Sequence, residues 1–233
     1  MFLSKKSKKL KSSKLERNLI TLSDSKSIIA EQFRTIRTNI TFSASDQELK
    51  TLLVTSSIPG EGKSTNAANI GIVFAQEGKK VLLVDADMRR PTLHHTFHLL
   101  NTDGLSSVLI RKQPVQKVIQ ETAIVGLYVM TSGPIPPNPS ELLSSKTMDT
   151  FLKVVEQEFD LIIFDSPPLL PVTDAQILSN KCNGTLLIVD MNTSKKADVK
   201  KAKTALNNSQ AKIMGVVLNN CALPTNHYHY QYQ

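Results

Sequence analysis

Residues 56–65, with the sequence SSIPGEGKST, decide how this chain folds. They follow a short apolar run at residues 52–54 and precede residues 66–76, which are predicted to form a helix. A strand, a glycine-containing turn and a Lys-Ser-Thr sequence that opens a helix are together typical of a phosphate-binding loop. The stretch therefore predicts a nucleotide site, with a chance lysine after a glycine turn as the alternative interpretation.

The residue types in this loop suit the binding of phosphate groups. Gly60 and Gly62 allow the backbone to turn its N–H groups inward around an anion, and the start of the following helix adds partial positive charge. Lys63 can reach terminal phosphate oxygens, and the Ser64 hydroxyl can bind Mg²⁺. Ser57 occupies the position of the first glycine in the strict motif. We expect the nucleotide to contact Pro59, Gly60, Glu61, Gly62, Lys63, Ser64 and Thr65.

Apolar runs alternate with predicted helices along the rest of the chain. Strands are predicted at residues 51–55, 80–84, 127–131, 161–164, 185–189 and 213–218. Helices are predicted at residues 25–42, 66–76, 104–110, 173–179 and 197–207, and in a segment that follows the prolines of residues 134–139 and ends at 158. Because the strands are nearly unbroken runs of Val, Ile and Leu, both faces of their sheet must be buried. The predicted fold class is α/β, a mostly parallel twisted sheet with helices on both faces.

Three aspartates follow apolar strands: Asp85 and Asp87 in VLLVDAD, and Asp165 in LIIFDSPP. Ligands of parallel sheets bind beyond the carboxyl ends of the strands, so we expect these carboxylates beside the phosphate loop, where they suit Mg²⁺-nucleotide chemistry. An aspartate at a strand end is often only a turn or cap residue, and Asp190 is assigned to a turn. Two roles stay open for Arg89 and Arg90, which follow this segment: one of them can stabilise phosphate charge, or they can form pairs at the surface.

The length of 233 residues suits one domain, residues 20–220, with a basic flexible arm at residues 1–19 and a tyrosine-rich tail at residues 221–233. Residues 1–17 hold seven basic residues and one acidic residue, a net charge of +6, so the remainder carries only +2 of the total of +8. A charge confined to an arm argues against a nucleic-acid channel. The arm itself can contact anionic lipid or an acidic partner, or be a solvated segment.

The cysteine content and the hydropathy pattern indicate a cytoplasmic protein. Cys182 and Cys221 have neither metal-binding nor redox spacing, which favours a reducing compartment. No apolar run approaches the ~18 residues that cross a bilayer, and the N-terminus lacks a signal-peptide core. If the protein works at a membrane, we therefore expect another molecule to hold it there.

The predicted helix at residues 25–42 contains the sequence EQFRTIR. Glu31, Arg34 and Arg37 are three residues apart and therefore lie near one face of the helix. These charges can pair within the helix or reach another subunit. Taken alone, the motif favours a solvated charged face.

Three of the four tyrosines lie in the last eight residues, NHYHYQYQ. Their alternate spacing is compatible with an edge strand, but the polar residues between them and their terminal position favour a flexible tail. A tail rich in phenols on a nucleotide-binding enzyme suggests a phosphorylation substrate carried in the same chain. The residues concerned are Tyr228, Tyr230 and Tyr232.

Seven motifs occur in one order along the chain: EQFRTIR, SSIPGEGKST, VLLVDADMRRP, TSGPIPPNPSELL, LIIFDSPP, GVVLNN and the tyrosine cluster. Together they resemble the motifs of the bacterial tyrosine kinases of exopolysaccharide and capsule biosynthesis, from residue 20 to the C-terminus. These kinases are unrelated to eukaryotic protein kinases. They resemble the partitioning and cell-division-site ATPases, which share the deviant Walker form of the P-loop NTPase fold. The resemblance implies ATP and Mg²⁺ as cofactors.

The resemblance also implies roles for individual residues. Lys63 and Ser64 correspond to the first Walker motif, which contacts the phosphates and Mg²⁺. Asp85 corresponds to the base for the tyrosine hydroxyl, and Asp87 to a ligand in the metal shell that also takes part in catalysis. Asp165 corresponds to the Walker B carboxylate near Mg²⁺.

Further roles implied by the resemblance concern the nucleotide base, the subunit contact and the tail. Asn219 resembles the residue beside the adenine in related ATPases. The E-x-x-R-x-x-R motif of the family contacts a neighbouring subunit, which reverses the solvated interpretation of Glu31, Arg34 and Arg37. In such homo-oligomeric rings the tail of one subunit enters the active site of its neighbour, so autophosphorylation is expected at Tyr228, Tyr230 and Tyr232.

The expected partners follow from the same resemblance. They are a transmembrane chain-length regulator that acts as adaptor, other copies of the chain, a cognate tyrosine phosphatase and protein substrates, with a cytoplasmic location at the membrane through the adaptor. Nucleic acid is not expected. A partitioning-type ATPase that transfers phosphoryl groups only to water is the alternative, but Ile58 stands where that family has a signature lysine.

Overall fold

The structure is a computed structural model that describes residues 19–44 and 48–221. The strands are β1 (Thr51–Ser56), β2 (Val81–Asp85), β3 (Ile119–Glu121), β4 (Leu127–Met130), β5 (Leu161–Asp165), β6 (Gly184–Asp190) and β7 (Ile213–Asn219). The helices are α1 (Ile20–Ser23), α2 (Ile28–Ser43), α3 (Lys63–Gln76), α4 (Leu93–Phe97), α5 (Leu105–Leu109), α6 (Val115–Val118), α7 (Pro139–Ser144), α8 (Lys146–Glu158), α9 (Asp174–Lys181) and α10 (Lys196–Asn208).

The seven strands of the described residues form one sheet in the order β3-β4-β2-β5-β1-β6-β7. All neighbouring pairs are parallel except β3 and β4. Strand β1 is buried along its whole length: Leu52 and Val54 pack in the core with α3, whereas Leu53 packs on the other face with residues of α5 and α8. Burial on both faces explains the nearly continuous apolar strands, and it confirms the predicted α/β fold class.

The observed elements differ from the predicted ones in two places with a clear physical cause. Helix α3 begins at Lys63, three residues before its predicted start, because Gly62 has a φ of 87° and turns the chain directly from the loop into the helix. The single helix predicted to end at residue 158 is two helices, α7 and α8. Ser145 separates them, and its hydroxyl accepts the Met148 N–H as the N-cap of α8.

Four short elements were not predicted, namely α1, α4, α6 and β3. Each has three to five residues, which is too short for an apolar period to be recognised in the sequence. Strand β3 is the antiparallel edge of the sheet. None of these elements changes the sheet order around the phosphate loop.

The segment at the start of the described chain is fastened to α3, the helix that follows the phosphate loop. Leu19, the last residue of the predicted arm, packs in the main core. Thr21 donates both its N–H and its hydroxyl to the Asn69 side chain, at 3.1 and 2.8 Å. Arg37 of α2 donates to the Val73 carbonyl at 3.0 Å. Helices α1 and α2 therefore support α3 from outside the sheet.

None of the helices in residues 19–44 and 48–221 has the length and apolar character needed to cross a membrane.

Candidate active site

The loop between β1 and α3 has the backbone shape that its glycines predict. Gly60 and Gly62 have φ angles of 88° and 87°, in the left-handed region that favours glycine. Lys63 is the first residue of α3, so its side chain and the start of the helix lie at the same point. Positive charge and backbone N–H groups are therefore concentrated where the motif requires them for phosphate binding.

Glu61 fixes this loop from within, a role that its position in the motif did not predict. Its side chain is fully buried, accepts the N–H of Ile58 at 2.8 Å and accepts the Ser194 hydroxyl. The Asn219 side chain donates to the Glu61 carbonyl at 3.0 Å. The loop is thus held by the turn after β6 and by the end of β7, since Ser194 and Asn219 lie there.

Gly62→Ala is expected to destabilise the protein by about 1 kcal/mol more than Gly60→Ala. Both substitutions place alanine at a positive φ. A Cβ on Gly62 would lie 2.2 Å from the Asn219 side-chain nitrogen, whereas one on Gly60 meets nothing within 4 Å. Asn219 must then turn away and lose its hydrogen bond to the loop. Urea unfolding of both variants measures the difference.

Asn219→Ala provides the matched background for this comparison. Because this background lacks both the Asn219 side chain and its hydrogen bond to Glu61, the two glycine substitutions should lower the free energy of unfolding by nearly the same amount. A difference that persists unchanged in the Asn219→Ala background would contradict the contact between the β7 end and the loop.

Lys63 lies among the predicted carboxylates. Its Nζ is 3.1 Å from Asp87 Oδ2 and 3.9 Å from Asp165 Oδ1, and only 12% of the lysine side chain is exposed. Burial alone would lower the pKa of Lys63, but the charges of Asp165 and Asp87 outweigh it and raise that pKa. The ammonium therefore stays charged and is available to a phosphate oxygen.

Asp165 offers oxygens that lack hydrogen-bond donors. Its side chain is fully buried at the end of β5, and neither oxygen has a hydrogen-bond partner in the described part of the chain. Burial raises the pKa of Asp165, and the charge of Lys63 partly offsets this. Buried carboxylate oxygens close to the Lys63 ammonium and the neighbouring Ser64 hydroxyl fit the preference of Mg²⁺ for oxygen ligands.

Asp85 is fully buried and held in one orientation by the chain that follows it. Its Oδ2 accepts the N–H groups of Thr92 and Leu93, both at 3.0 Å, while Oδ1 has no hydrogen-bond partner among the described residues. It is paired in register with Asp165 on the adjacent strand. Burial and the charge of Asp165 raise the pKa of Asp85 to about 8, against the lowering effect of the two N–H donors. In its ionised form, such a carboxylate is a stronger proton acceptor than an ordinary aspartate.

Asp87 completes the group with a side chain that is 6% exposed. It accepts the N–H of Arg90 at 3.0 Å through Oδ1, and Oδ2 faces Lys63. The structure therefore brings Lys63, Asp85, Asp87 and Asp165 together at the carboxyl ends of neighbouring strands, as the sequence predicts.

Arg89 forms an ion pair, the second of the two roles left open by the sequence, but its partner is buried and does not lie at the surface. Its guanidinium donates two hydrogen bonds to Asp174, at 2.9 and 3.0 Å. Asp174, the first residue of α9, is fully buried, whereas 38% of the Arg89 side chain is exposed. Asp174 was not predicted as a functional residue, since its partner is 85 positions away in the sequence. The pair fixes the segment after β2 to α9.

Arg89→Ala is expected to destabilise the fold by about 2 kcal/mol. The substitution leaves the buried Asp174 carboxylate without its two charged hydrogen bonds. Arg90→Ala is the matched control, because Arg90 is exposed and is held here through its backbone N–H. Equal urea midpoints for the two variants would show that the pair contributes nothing to stability.

The other predicted residues lie at different places. Asp190 is confirmed as a turn residue, since its Oδ1 accepts the N–H groups of Asn192 and Thr193 at 2.7 and 3.2 Å. Glu31 and Arg34 form an ion pair at 2.6 Å on α2. The predicted autophosphorylation sites Tyr228, Tyr230 and Tyr232 lie outside the described residues, as do residues 1–18 of the arm.

The fold and this group of side chains define a P-loop nucleotide-binding protein with three aspartates around the loop lysine. A family model described as an AAA domain matches residues 49–200. The chain is 48% identical over 212 residues to the tyrosine-protein kinase YwqD of Bacillus subtilis. The aligned residues cover 91% of this chain and 90% of that relative. It is 39% identical over 190 residues to the tyrosine-protein kinase CpsD of Streptococcus agalactiae, and the aligned residues cover 81% of each chain.

Among solved structures, the chimerical protein CapA2B2 is similar, with a TM-score of 0.85 and 43% identity over 88% of this chain and 90% of that one. The chain belongs to the bacterial tyrosine-protein kinases.

Proposed function

We propose that this chain transfers the terminal phosphoryl group of ATP to tyrosines at the C-terminus of another copy of itself, and that it regulates exopolysaccharide or capsule synthesis. The observation that carries the proposal is the arrangement around Lys63. One charged lysine contacts Asp87 and lies near Asp165, while Asp85 is buried close by with one oxygen that lacks a hydrogen-bond partner in the described residues. Family membership and the three tail tyrosines support the choice of a phenol as acceptor.

The phosphate groups of ATP are held by the loop. The N–H groups of residues 60–65 and the Lys63 ammonium bind phosphate oxygens and stabilise the charge that develops during in-line transfer. Ser64, Asp87 and Asp165 would hold Mg²⁺, which supplies further neutralisation of phosphate charge when bound. The phenol oxygen bonds to the terminal phosphorus, and the bond from that phosphorus to ADP breaks.

Asp85 is the general base in this proposal. A phenol has a pKa of about 10, so it is a poor nucleophile until its proton is removed. The N–H groups of Thr92 and Leu93 fix one oxygen of Asp85, which leaves the other to accept the phenol proton. Asn219 is proposed beside the adenine, where its hydrogen bond to Glu61 would join the base site to the phosphate loop.

The subunit contact is proposed on α2, through Glu31, Arg34 and Arg37. The three residues differ in their present contacts. Arg34 pairs with Glu31 at the surface and donates to the carbonyl of Ser25, so both charges can be reached by a neighbour. Arg37 already donates to Val73 of α3 and therefore also joins the subunit surface to the phosphate-loop helix.

The remaining partners are proposals on the same basis. A transmembrane chain-length regulator would hold the kinase at the cytoplasmic face of the membrane and activate it. A tyrosine phosphatase would reverse the tail modification, and other proteins would be substrates. The basic arm, shortened to residues 1–18 because Leu19 packs in the core, and the tail of residues 221–233 would act as extensions of one kinase domain.

Mixing two complementary variants tests transfer between copies. Lys63→Met keeps the tail but lacks the catalytic lysine, and a variant with all three tail tyrosines changed to Phe keeps the site but lacks the acceptor. With ATP and Mg²⁺, and with a candidate adaptor's cytoplasmic segment added in parallel samples, we expect phosphate on the Lys63→Met chain only in the mixture. Phosphorylation of wild type together with an unmodified mixture would show transfer within one chain.

A further inference from the structure

Helix α10 and its flanks form a surface rich in lysine on the described part of the chain. Six of its lysines are exposed: Lys195, Lys196, Lys200, Lys201, Lys203 and Lys212. The helix contains one acidic residue, Asp198, and none of the ion pairs within residues 19–44 and 48–221 involves these lysines. We call this the basic helix surface. The six lysines of this surface therefore have no acidic ion-pair partner among the described residues.

Lys196, Lys200 and Lys203 lie on one flank of α10, because positions i, i+4 and i+7 of a helix share a face. The core-facing side is a different one, with Ala202 and Leu206 fully buried. The three ammonium groups therefore lie in a row along a helix of 13 residues, which is about 20 Å long.

The C-terminal tail leaves the domain beside the start of this surface. The Met191 N–H donates to the carbonyl of Asn219, the last residue of β7, at 3.0 Å. The Asn220 side chain donates to Asp190 at 2.6 Å. Both contacts fasten the root of the tail to the turn that runs from Asp190 directly into Lys195, so tail and basic helix begin at one place.

The sheet between the tail root and α10 is partly open. Val216 and Leu218 of β7 are in register with Leu187 and Val189 of β6, which pack under α10. Paired residues of adjacent strands point to the same face, yet Val216 and Leu218 are 52% and 55% exposed. No described element separates these two residues from solvent, so a segment returning from the tail root has access to α10.

The composition of the tail supplies the charge that is missing from this surface. Residues 221–233 contain no Asp, Glu, Lys or Arg, so no side chain of the unmodified tail carries a negative charge that would attract the lysines. Phosphate on three tyrosines would add a charge of about −4.5 to −6 at neutral pH. The seven residue-to-residue steps from Cys221 to Tyr228 span at most ~25 Å, enough to place the phosphates along α10.

We propose that the phosphorylated tail binds the basic helix surface of its own chain, whereas the unmodified tail does not. The proposal rests on the proposed function, because it takes the tail tyrosines as phosphorylation sites. Phosphate oxygens would accept charge-assisted hydrogen bonds from the row of ammonium groups. A tail retained there is withdrawn from the active site of a neighbour, so each modified chain stops serving as a substrate.

A synthetic fluorescent peptide of residues 222–233, phosphorylated at its three tyrosines, tests the surface directly by anisotropy. The receptor is the full chain with all three tail tyrosines changed to Phe, which carries no phosphorylated tail of its own. We expect the phosphopeptide to bind at least ~10-fold more tightly than the unphosphorylated peptide. Adding Lys196→Gln, Lys200→Gln and Lys203→Gln to the receptor should remove ~10-fold or more of that affinity.

The control receptor carries Lys117→Gln, Lys146→Gln and Lys153→Gln, which remove the same charge from exposed lysines of α6 and α8. Equal weakening in the control, or no weakening in either receptor, would overturn the proposal, because net charge or the basic arm would then bind the peptide. Binding to anionic phosphatidylserine vesicles gives the other contrary outcome. If vesicle binding required the α10 lysines and phosphopeptide binding did not, the surface would be a membrane-binding site and the proposal would be overturned.

Competition by the chain's own tail tests retention within one chain. Wild type that has been phosphorylated with Mg·ATP should bind the added phosphopeptide at least ~10-fold more weakly than the Phe receptor, since its own tail occupies the lysines. Equal affinity would contradict retention. Wild type that gains no phosphate would refute the proposed autophosphorylation instead, while the synthetic peptide still decides whether the surface binds phosphotyrosine.

Discussion

Replacing Lys63 with methionine is expected to reduce tyrosine phosphorylation by about 10³-fold or more. The lysine is the cation that lies between Asp87 and Asp165 at the start of α3, and methionine keeps an unbranched side chain of similar bulk without the charged amine. Phosphate oxygens would then face two carboxylates with no opposing ammonium. Initial rates of phosphate incorporation, measured by intact mass at saturating Mg·ATP, give the size of the effect.

Two measurements separate this chemical effect from loss of structure. The far-ultraviolet circular dichroism of Lys63→Met should match that of wild type, because Asp165 is buried and can bind a proton when its counter-charge is removed. Lys117→Met, on an exposed lysine of α6, should leave the rate unchanged. A folded Lys63→Met protein that phosphorylates tyrosine at the wild-type rate would exclude the predicted role of the loop.

Asp85→Asn is expected to lower kcat by about 10²–10⁴-fold with little change in stability. Asparagine can present one oxygen to the Thr92 and Leu93 N–H groups, which now bind Oδ2 of the aspartate, but its other group cannot take a proton from a phenol. Single-turnover rates and thermal unfolding of the same preparation measure the two effects together.

Asp85→Ala is the informative companion variant. It removes the acceptor for both N–H groups as well as the base, so we expect the same loss of rate together with a lower Tm. Near-normal autophosphorylation in purified Asp85→Asn or Asp85→Ala protein would refute the assignment of Asp85 as the base, and Asp87 would then be the next residue to test.

The fold and the centre of the site could be predicted because their determinants are local in the sequence. The phosphate loop is one continuous motif, and Asp85, Asp87 and Asp165 each follow a strand whose apolar run is easily recognised. In a parallel sheet the carboxyl ends of strands lie at one edge, so local signals were enough to place three separate aspartates around Lys63.

The supports of the site could not be predicted because they join distant residues. The bond from Ser194 to Glu61 spans 133 positions, and that from Arg89 to Asp174 spans 85. Serine and aspartate near a turn have ordinary local roles, so nothing in the sequence separates these residues from common turn residues. Both contacts depend on strand order, which places β1 beside β6 and β2 beside β5.

The individual contacts of the charged residues on α2 could not be predicted from their spacing. Equal spacing gave Glu31, Arg34 and Arg37 one common interpretation, yet Arg37 turns inward to Val73 while Arg34 and Glu31 pair at the surface. The two arginines have the same length, so the difference arises because Arg37 faces α3, whose Val73 carbonyl accepts its hydrogen bond. A periodic pattern gives the face of a helix, but it does not give the partner of each side chain.

The proposed activity of this chain is transfer of phosphate to the tail tyrosines of other copies of itself. Intact-mass analysis after incubation with Mg·ATP, for wild type and for the variant with Tyr228, Tyr230 and Tyr232 changed to Phe, tests it most directly. We predict that wild type gains phosphate and that the variant gains none. If neither chain gained mass while ATP was still hydrolysed, the tail would not be a substrate and transfer to water, as in the partitioning-type ATPases, would describe the chemistry instead.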